Sequence, residues 1–228
     1  MKASIIIPAY KPYTLLKSCI DSIIKNTDLD DIEVIVICNG SDRESADLVL
    51  NYGSNFRLVW FNEPLGFVKA VNKGIKLSSG ENIILINTDC VILDYKEKNY
   101  WINELLEPLK DPHVGITGMD FMTVFNTISF LPFYFVAFRR SLVDEIGLLD
   151  EKYSPGYFED VDYCIRIRNN NYKLVNIAKG IEDHANQRFL SDYPLWHTGE
   201  GSFKNTEERR KILEKNLNYL KEKWKILF

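Results

Sequence analysis

Between Ala3 and Ile86 the chain carries four short runs rich in β-branched residues, and each run ends in a polar or glycine-bearing turn. The runs are Ala3 to Ile7, Glu33 to Ile37, Arg57 to Phe61 and Asn82 to Ile86. Between the first two, Leu15, Leu16, Cys19, Ile20, Ile23 and Ile24 recur at helical spacing, so a helix there packs one apolar stripe on a sheet face. Strands alternating with helices have few stable arrangements, and the simplest is a series of βαβ units feeding a parallel sheet. The expected fold class is α/β, with a Rossmann-like, mostly parallel central sheet flanked by helices. The four turns, PAYKP, CNGSD, NEPLGF and NTDC, follow the carboxyl ends of their strands. Open α/β sheets gather ligands there, although each turn alone also reads as an ordinary connection.

The rest of the chain is less regular. It predicts a helix over Tyr100 to Leu109, a strand Val114 to Met119, an apolar strand near Phe133 to Phe138, a helix after Arg140 and a strand Lys173 to Ala178. An irregular polar stretch then runs through His197. From Glu207 to Trp224, Ile212, Leu213, Leu217 and Leu220 recur at helical intervals, marking an amphipathic C-terminal helix. A net charge of −4 gives no electrostatic reason to expect nucleic acid. The cysteines Cys19, Cys38, Cys90 and Cys164 form no CxxC pair, which points away from a zinc site or disulfide framework and toward a reducing compartment. The apolar stretch Ile128 to Phe138 is interrupted by Ser129 and Pro132 and falls short of the ~20 residues a membrane helix needs. The expectation is a cytoplasmic protein with no transmembrane segment, with peripheral contact at the inner face of a membrane left open.

Five groups of residues could carry chemistry. Asp89, in the NTD of Asn87 to Asp89, ends an apolar strand and could hold an oxygen-loving cation, or serve as a turn or cap aspartate. Glu159, Asp160 and Asp162 crowd the start of a helix. Acidic residues favour helix N-termini, but crowded carboxylates also raise one another's proton affinity and so prepare a general base. His197, in WHTGEGSF, could complete a metal shell beside glycine-rich backbone. His184 is a competing candidate, and either histidine could simply be solvated. Tyr10 follows Pro8 and Ala9 at the first strand's end, where its ring could stack on a base or pack in the core. Gly66 opens a helix whose N-terminus could take an anion, or is a routine entry residue.

In this order the segments resemble family-2 glycosyltransferases of the GT-A fold, and within them the rhamnosyltransferase-like subgroup, from Ser4 to about Lys223. SIIIPAY resembles the opening strand and nucleotide-contacting turn, NEPLGFVKAVNKGI the donor-site helix, and INTDC the metal motif. The most specific match is RRSLVDEIGLLDEKYSPGYFEDVDYCIRIRNNNYKL, from Arg139 to Leu174, which resembles the acceptor-side signature. The resemblance implies one domain over 1–228: a nucleotide-sugar-binding half (1–92), an acceptor-binding half (93–205) and a closing helix (206–228). It implies an inverting, metal-dependent hexosyltransferase of polysaccharide biosynthesis. The donor would be a nucleotide diphosphate sugar, and the acceptor a hydroxyl of a glycan or of a lipid-linked or protein-linked acceptor. Asp160 would be the base, assisted by Glu159, while Asp162 and Arg166 fix the helix start. Asp89 and His197, with His184 as the weaker alternative, would hold Mn²⁺ or Mg²⁺. Pro8, Ala9, Tyr10, Asn39, Gly66, Lys69, Asn72, Asn87 and Asp89 would line the donor side.

Three positions depart from the family pattern. Cys38 stands where an aspartate usually contacts the nucleobase, implying recognition through backbone groups or a different base. Leu65 replaces a common asparagine, and FLPFYFVAF places bulky aromatics where a small glycine is frequent. Cys38 also prompts a different reading, a binding module that keeps the fold without catalysis. A sugar-phosphate nucleotidyltransferase shares the α/β half, but the chain has no glycine-rich, arginine-containing loop after its first strand.

Overall fold

The computed structural model describes residues 2–10, 12–94, 96–178, 180–183, 188–191, 193–199 and 206–226, without the side chains of 180–183, 188–191 and 206. In chain order the first half contains β1 (Ala3–Ala9), α1 (Tyr13–Asn26), β2 (Ile32–Asn39), α2 (Arg43–Leu50), β3 (Phe56–Phe61), α3 (Phe67–Leu77) and β4 (Asn82–Ile86). Next come β5 (Cys90–Ile92), α4 (Tyr100–Leu106), β6 (Val114–Gly118), β7 (Met122–Val124), β8 (Ile128–Phe130), β9 (Phe135–Arg139) and α5 (Arg140–Ile146). Then follow α6 (Glu159–Asn169), β10 (Lys173–Asn176), β11 (Gly180–Asp183), β12 (Arg188–Ser191), β13 (Leu195–His197) and α7 (Thr206–Trp224).

One seven-stranded sheet, in the order β10-β6-β9-β4-β1-β2-β3, runs through both halves. β1 to β4 are parallel neighbours, and β9 enters antiparallel between β4 and β6. Successive residues of a strand face opposite sides, and both sides of this sheet are covered, which explains why IIIPA is apolar without a break. Ile5 and Ile7 pack with α1 and α4, whereas Ile6 packs with α3, α5, α6 and α7. All three isoleucines are wholly buried, and each such side chain stabilises the fold by about 1.5–3 kcal/mol.

The four expected strands are present, each within two residues of its expected ends. Other elements differ for local reasons. Helix α4 stops at Leu106 and tightens into a 3-10 turn over Glu107–Lys110, where Pro108 has no amide to continue the α-helical ladder. The aromatic strand starts at Phe135, because the Tyr134 carbonyl closes on the Asn87 N–H and Pro132 has no amide for a ladder. Helix α2 escaped the sequence reading because only Ala46 and Val49 of its apolar residues are buried; its one local mark is Asp42, which caps the Ser45 N–H at 2.9 Å. The stretch expected to be irregular contains three short strands, β11, β12 and β13, each too short to show a period. Among the described residues, no helix is long and apolar enough to cross a membrane.

Candidate active site

The turn after β4 carries Asp89. Its backbone is tightly held: the Asn87 carbonyl accepts the Cys90 N–H at 3.1 Å and the Cys19 thiol at 3.6 Å. β5 then pairs antiparallel with β13, setting His197 opposite Cys90. That register places His197 Nε2 3.2 Å from Asp89 Oδ2, and the Thr198 N–H donates to the Asp89 carbonyl at 3.0 Å. The Asp89 side chain is 11% exposed and the His197 side chain 31%, so the pair is built into the structure yet open to a ligand.

Asp89, Cys90 and His197 offer ligand atoms within 4.8 Å of one another. Burial raises the Cys90 thiol well above its ordinary pKa, with the Asp89 carboxylate adding to the effect, and the thiol donates to the Tyr134 carbonyl at 3.6 Å. With Cys90 wholly buried and bonded to the Tyr134 carbonyl, the Asp89 carboxylate and the His197 imidazole are the accessible ligands. The side-chain oxygen of Asn87 is buried at the same strand end with no hydrogen-bond partner among the described residues. Oxygen and nitrogen donors with open positions fit a hard or borderline cation such as Mn²⁺ or Mg²⁺. His184 lies outside the described residues, as do Gly201, Ser202 and Phe203 of the histidine loop.

The second centre is the start of α6. Tyr157 and Phe158 both hold positive φ, 76° and 70°, a costly conformation for aromatic residues. The turn is held from α7: buried Asn216 donates from its amide to the carbonyls of Tyr153, Gly156 and Tyr157 at 2.7, 2.8 and 3.1 Å. Asp162, fully buried, accepts from Arg166 at 3.0 Å, Lys223 at 2.7 Å and Trp224 Nε1 at 2.9 Å. It therefore ties α6 to α7, and Arg166 reaches on to the Ile146 carbonyl at 2.8 Å.

With the helix start fixed in this way, Glu159 is buried and one of its carboxylate oxygens has no partner among the described residues. Burial, and then the charge of Asp160, push Glu159 well above the usual carboxylate range. Burial likewise raises Asp160 to about 6, against the favourable field of nearby backbone N–H groups, of which the Val161 N–H donates to its carboxylate at 2.8 Å. Asp160 is half-buried and keeps a solvent-facing portion.

Two consecutive residues link the centres. The Phe133 backbone N–H lies close enough to Asp160 to favour its charged form, while the Tyr134 ring stacks on His197 with centroids 4.0 Å apart and planes 9° from parallel. The Tyr134 carbonyl accepts the Asn87 N–H at 2.8 Å. The segment Phe133–Tyr134 thus touches His197 and the Asp89 turn through Tyr134 and neighbours Asp160 through the Phe133 backbone. Neither Phe133 nor Tyr134 was singled out from sequence as a site residue, because both read as apolar strand.

Several residues expected on the donor side are engaged within the protein. Asn39 accepts the Leu65 N–H through its side chain, folding the loop after β3 onto the end of β2. Buried Asn72 holds the segment before α6 through both amide atoms, bonding the Leu149 carbonyl at 2.9 Å and N–H at 3.0 Å. Gly66 has φ +82°, and a Cβ there would lie 2.6 Å from Pro155 Cα, so only glycine permits this approach. The Pro155 carbonyl accepts the Phe67 N–H at 2.6 Å, so part of the α3 N-terminus is occupied by the chain itself. Lys69 is exposed and lines a 460 Å³ depression with Lys152, Lys215 and Tyr219. Pro8 and Tyr10 are half-buried at the end of β1, Ala9 is buried, and Cys38 lies in the core wholly out of contact with solvent.

A sheet that carries a carboxylate–imidazole pair and a perturbed carboxylate beyond its strand ends defines an α/β enzyme-like scaffold with a candidate cation site. The model of glycosyl transferase family 2 matches residues 4–130, and the chain belongs to that family. It is 28% identical over 129 residues to the O-antigen biosynthesis protein RfbC of Myxococcus xanthus, spanning 56% of this chain and 10% of that one. Among solved structures it is similar to the mannosyltransferase PcManGT from Pyrobaculum calidifontis in complex with GDP-Man and Mn²⁺, at TM-score 0.63 and 19% identity over 77% of this chain and 54% of that one. GalNAc-T7 with UDP, GalNAc and Mn²⁺ is similar at TM-score 0.63 and 15% identity over 77% of this chain and 42% of that one. The fold is the GT-A fold expected from the sequence. The chain spans about half or less of the length of each of these proteins.

Proposed function

We propose that this chain is an inverting glycosyltransferase that moves a sugar from a nucleotide diphosphate donor to an acceptor hydroxyl. Asp160 is the general base, and Asp89 and His197 hold a divalent cation, Mn²⁺ or Mg²⁺. The observation that carries the reading is the pairing of β5 with β13, which sets His197 3.2 Å from Asp89 and beside the stacked Tyr134 ring.

In an inverting transfer the acceptor oxygen attacks the anomeric carbon opposite the departing diphosphate, so one base suffices. The base must be ionised and still hold a proton usefully; a carboxyl near 6 meets both demands at neutral pH. Glu159, whose proton affinity burial and the charge of Asp160 raise, can orient the acceptor or tune Asp160. A bound cation supplies neutralisation of the charge that develops on the departing diphosphate. The nucleotide-diphosphate class of donor is supported by the ligands of the similar structures, GDP-Man in one and UDP in the other. The acceptor is proposed as a hydroxyl of a glycan or of a lipid-linked or protein-linked molecule.

A thermal denaturation screen with nucleotide diphosphates and nucleotide sugars, with and without Mn²⁺, tests the reading. A ligand at about 100 times its dissociation constant stabilises the native state by about 2.7 kcal/mol. At least one donor should raise the midpoint, and the rise should depend on Mn²⁺. A full donor panel that leaves the midpoint unmoved would favour the non-catalytic binding module instead.

A further inference from the structure

We infer that Tyr134 is a positioning residue for the cation site, fixing both the His197 imidazole and the Asp89 turn from a single side of the sheet. The inference rests on the proposed cation at Asp89 and His197 and concerns how the pair is kept in register. Asp89 immediately precedes β5 and His197 ends β13, and a three-residue pairing such as β5 with β13 is weak without support from other contacts.

Tyr134 supplies that support in three ways. Its ring lies flat against the His197 imidazole, at 4.0 Å and 9°, which fixes the ring plane and leaves Nε2 directed at Asp89 Oδ2. Its carbonyl accepts both the Asn87 N–H at 2.8 Å and the Cys90 thiol at 3.6 Å, bracketing Asp89 on either side. Its hydroxyl donates to Asp120 Oδ2, so the ring itself cannot swing. Asp120 is anchored in turn, since its N–H donates to the Asn176 side chain at 3.2 Å. Tyr134 therefore connects β10, through Asn176 and Asp120, to both expected cation ligands. Residues that orient metal ligands in this manner typically contribute 10–100-fold to metal affinity.

The test uses Tyr134→Leu, which removes the ring, and Tyr134→Phe, which keeps the ring and removes only the hydroxyl. Asp89→Ala and His197→Ala serve as ligand controls. Mn²⁺ alone is titrated into each folded protein, and free Mn²⁺ is followed by electron paramagnetic resonance. Tyr134→Leu should weaken Mn²⁺ binding by about 10–100-fold, and Tyr134→Phe should recover most of that loss. In the metal-free protein, the His197 ring signals of an NMR spectrum should move downfield in Tyr134→Leu, because the stacked ring shields them, and stay near their native positions in Tyr134→Phe. Should Tyr134→Leu not fold, Tyr134→Met fills similar volume without an aromatic face and carries the same expectations.

Unmoved Mn²⁺ affinity in Tyr134→Leu, with binding abolished in Asp89→Ala, would overturn the role of Tyr134 and leave the cation site standing. Unmoved affinity in both ligand controls would overturn the cation site, and the role of Tyr134 toward it would fall as well. Unmoved His197 signals in Tyr134→Leu would show that the rings do not stack in solution and would overturn the positioning role directly.

Discussion

The two carboxylate centres are held by opposite means. Asp89 sits on a short ribbon, partly open, and is aligned by one strand pairing and a stacked ring. Glu159 and Asp160 start a helix whose entry turn carries two positive-φ aromatic residues, clamped by buried polar side chains of α6 and α7. On the roles proposed for them, a cation-ligand site and a proton-accepting site need different surroundings. A cation must enter and leave, and of the pair it is His197, nearly a third exposed, that keeps the way open. A raised carboxyl pKa needs desolvation, so its backbone must be buried and fixed.

The largest expected effect breaks the comparison at the base. Asp160→Asn should lower the rate of transfer by ~10²–10⁴-fold while leaving the unfolding midpoint no lower than native, as measured by initial rates and thermal melts. A variant that keeps native turnover would remove Asp160 from the role.

Next in size is the clamp. Asp162→Ala leaves Arg166 and Lys223 without their shared buried carboxylate, and losing one member of such a network costs about 3–5 kcal/mol. Urea unfolding should show a loss near the lower end, because the two cations keep some solvent contact. Asn216→Ala strips a donor from three buried carbonyls and should cost about 1–3 kcal/mol. Both losses should exceed that of His197→Ala, whose side chain is nearly a third exposed.

The smallest effect is a pH dependence with two signs. The folded protein binds a proton at Asp160 more tightly than the unfolded chain, whose ordinary carboxyl value is 3.8. Stability should therefore fall as pH rises from about 4 through about 6, with Glu159 contributing in the same direction, and Asp160→Asn should flatten that slope. Asp150 behaves oppositely. Bonds from Lys223, the Lys152 N–H and Tyr219 outweigh its burial and hold it at about 2, so its contribution is present above 3.8 and lost as pH falls toward 2. Transfer activity should rise with pH through about 6 as Asp160 ionises, measured as initial rate against pH.

Much of the fold was legible because β1 to β4 are long enough to show their composition and are spaced by helix-period segments. Their ends differ from expectation by no more than two residues, and the C-terminal helix begins one residue early, at Thr206. The short strands β5 and β13 were not legible, since three residues cannot display a period. The site was legible as a set of residue types, in Asp89, Asp160 and His197, but not as a geometry. Asn72 and Gly66 show the limit: a buried amide and a helix-entry glycine look alike in sequence whether they meet a ligand or another part of the chain. Tyr134 stood out only as one of the bulky aromatics of FLPFYFVAF, and Asn216 gave no signal, because an asparagine in a helix has many ordinary uses.

The sequence by itself determined the layered α/β scaffold, because the periods of two and 3.6 residues decide locally which side chains must leave water. It also supplied the reactive groups. Only the tertiary structure decided which of them meet. Asp89 and His197 become neighbours through a strand pairing across more than a hundred residues, and Asp160 gains its proton affinity through desolvation by segments remote along the chain. Contacts of that kind depend on how finished elements pack, and no local pattern of residues encodes them.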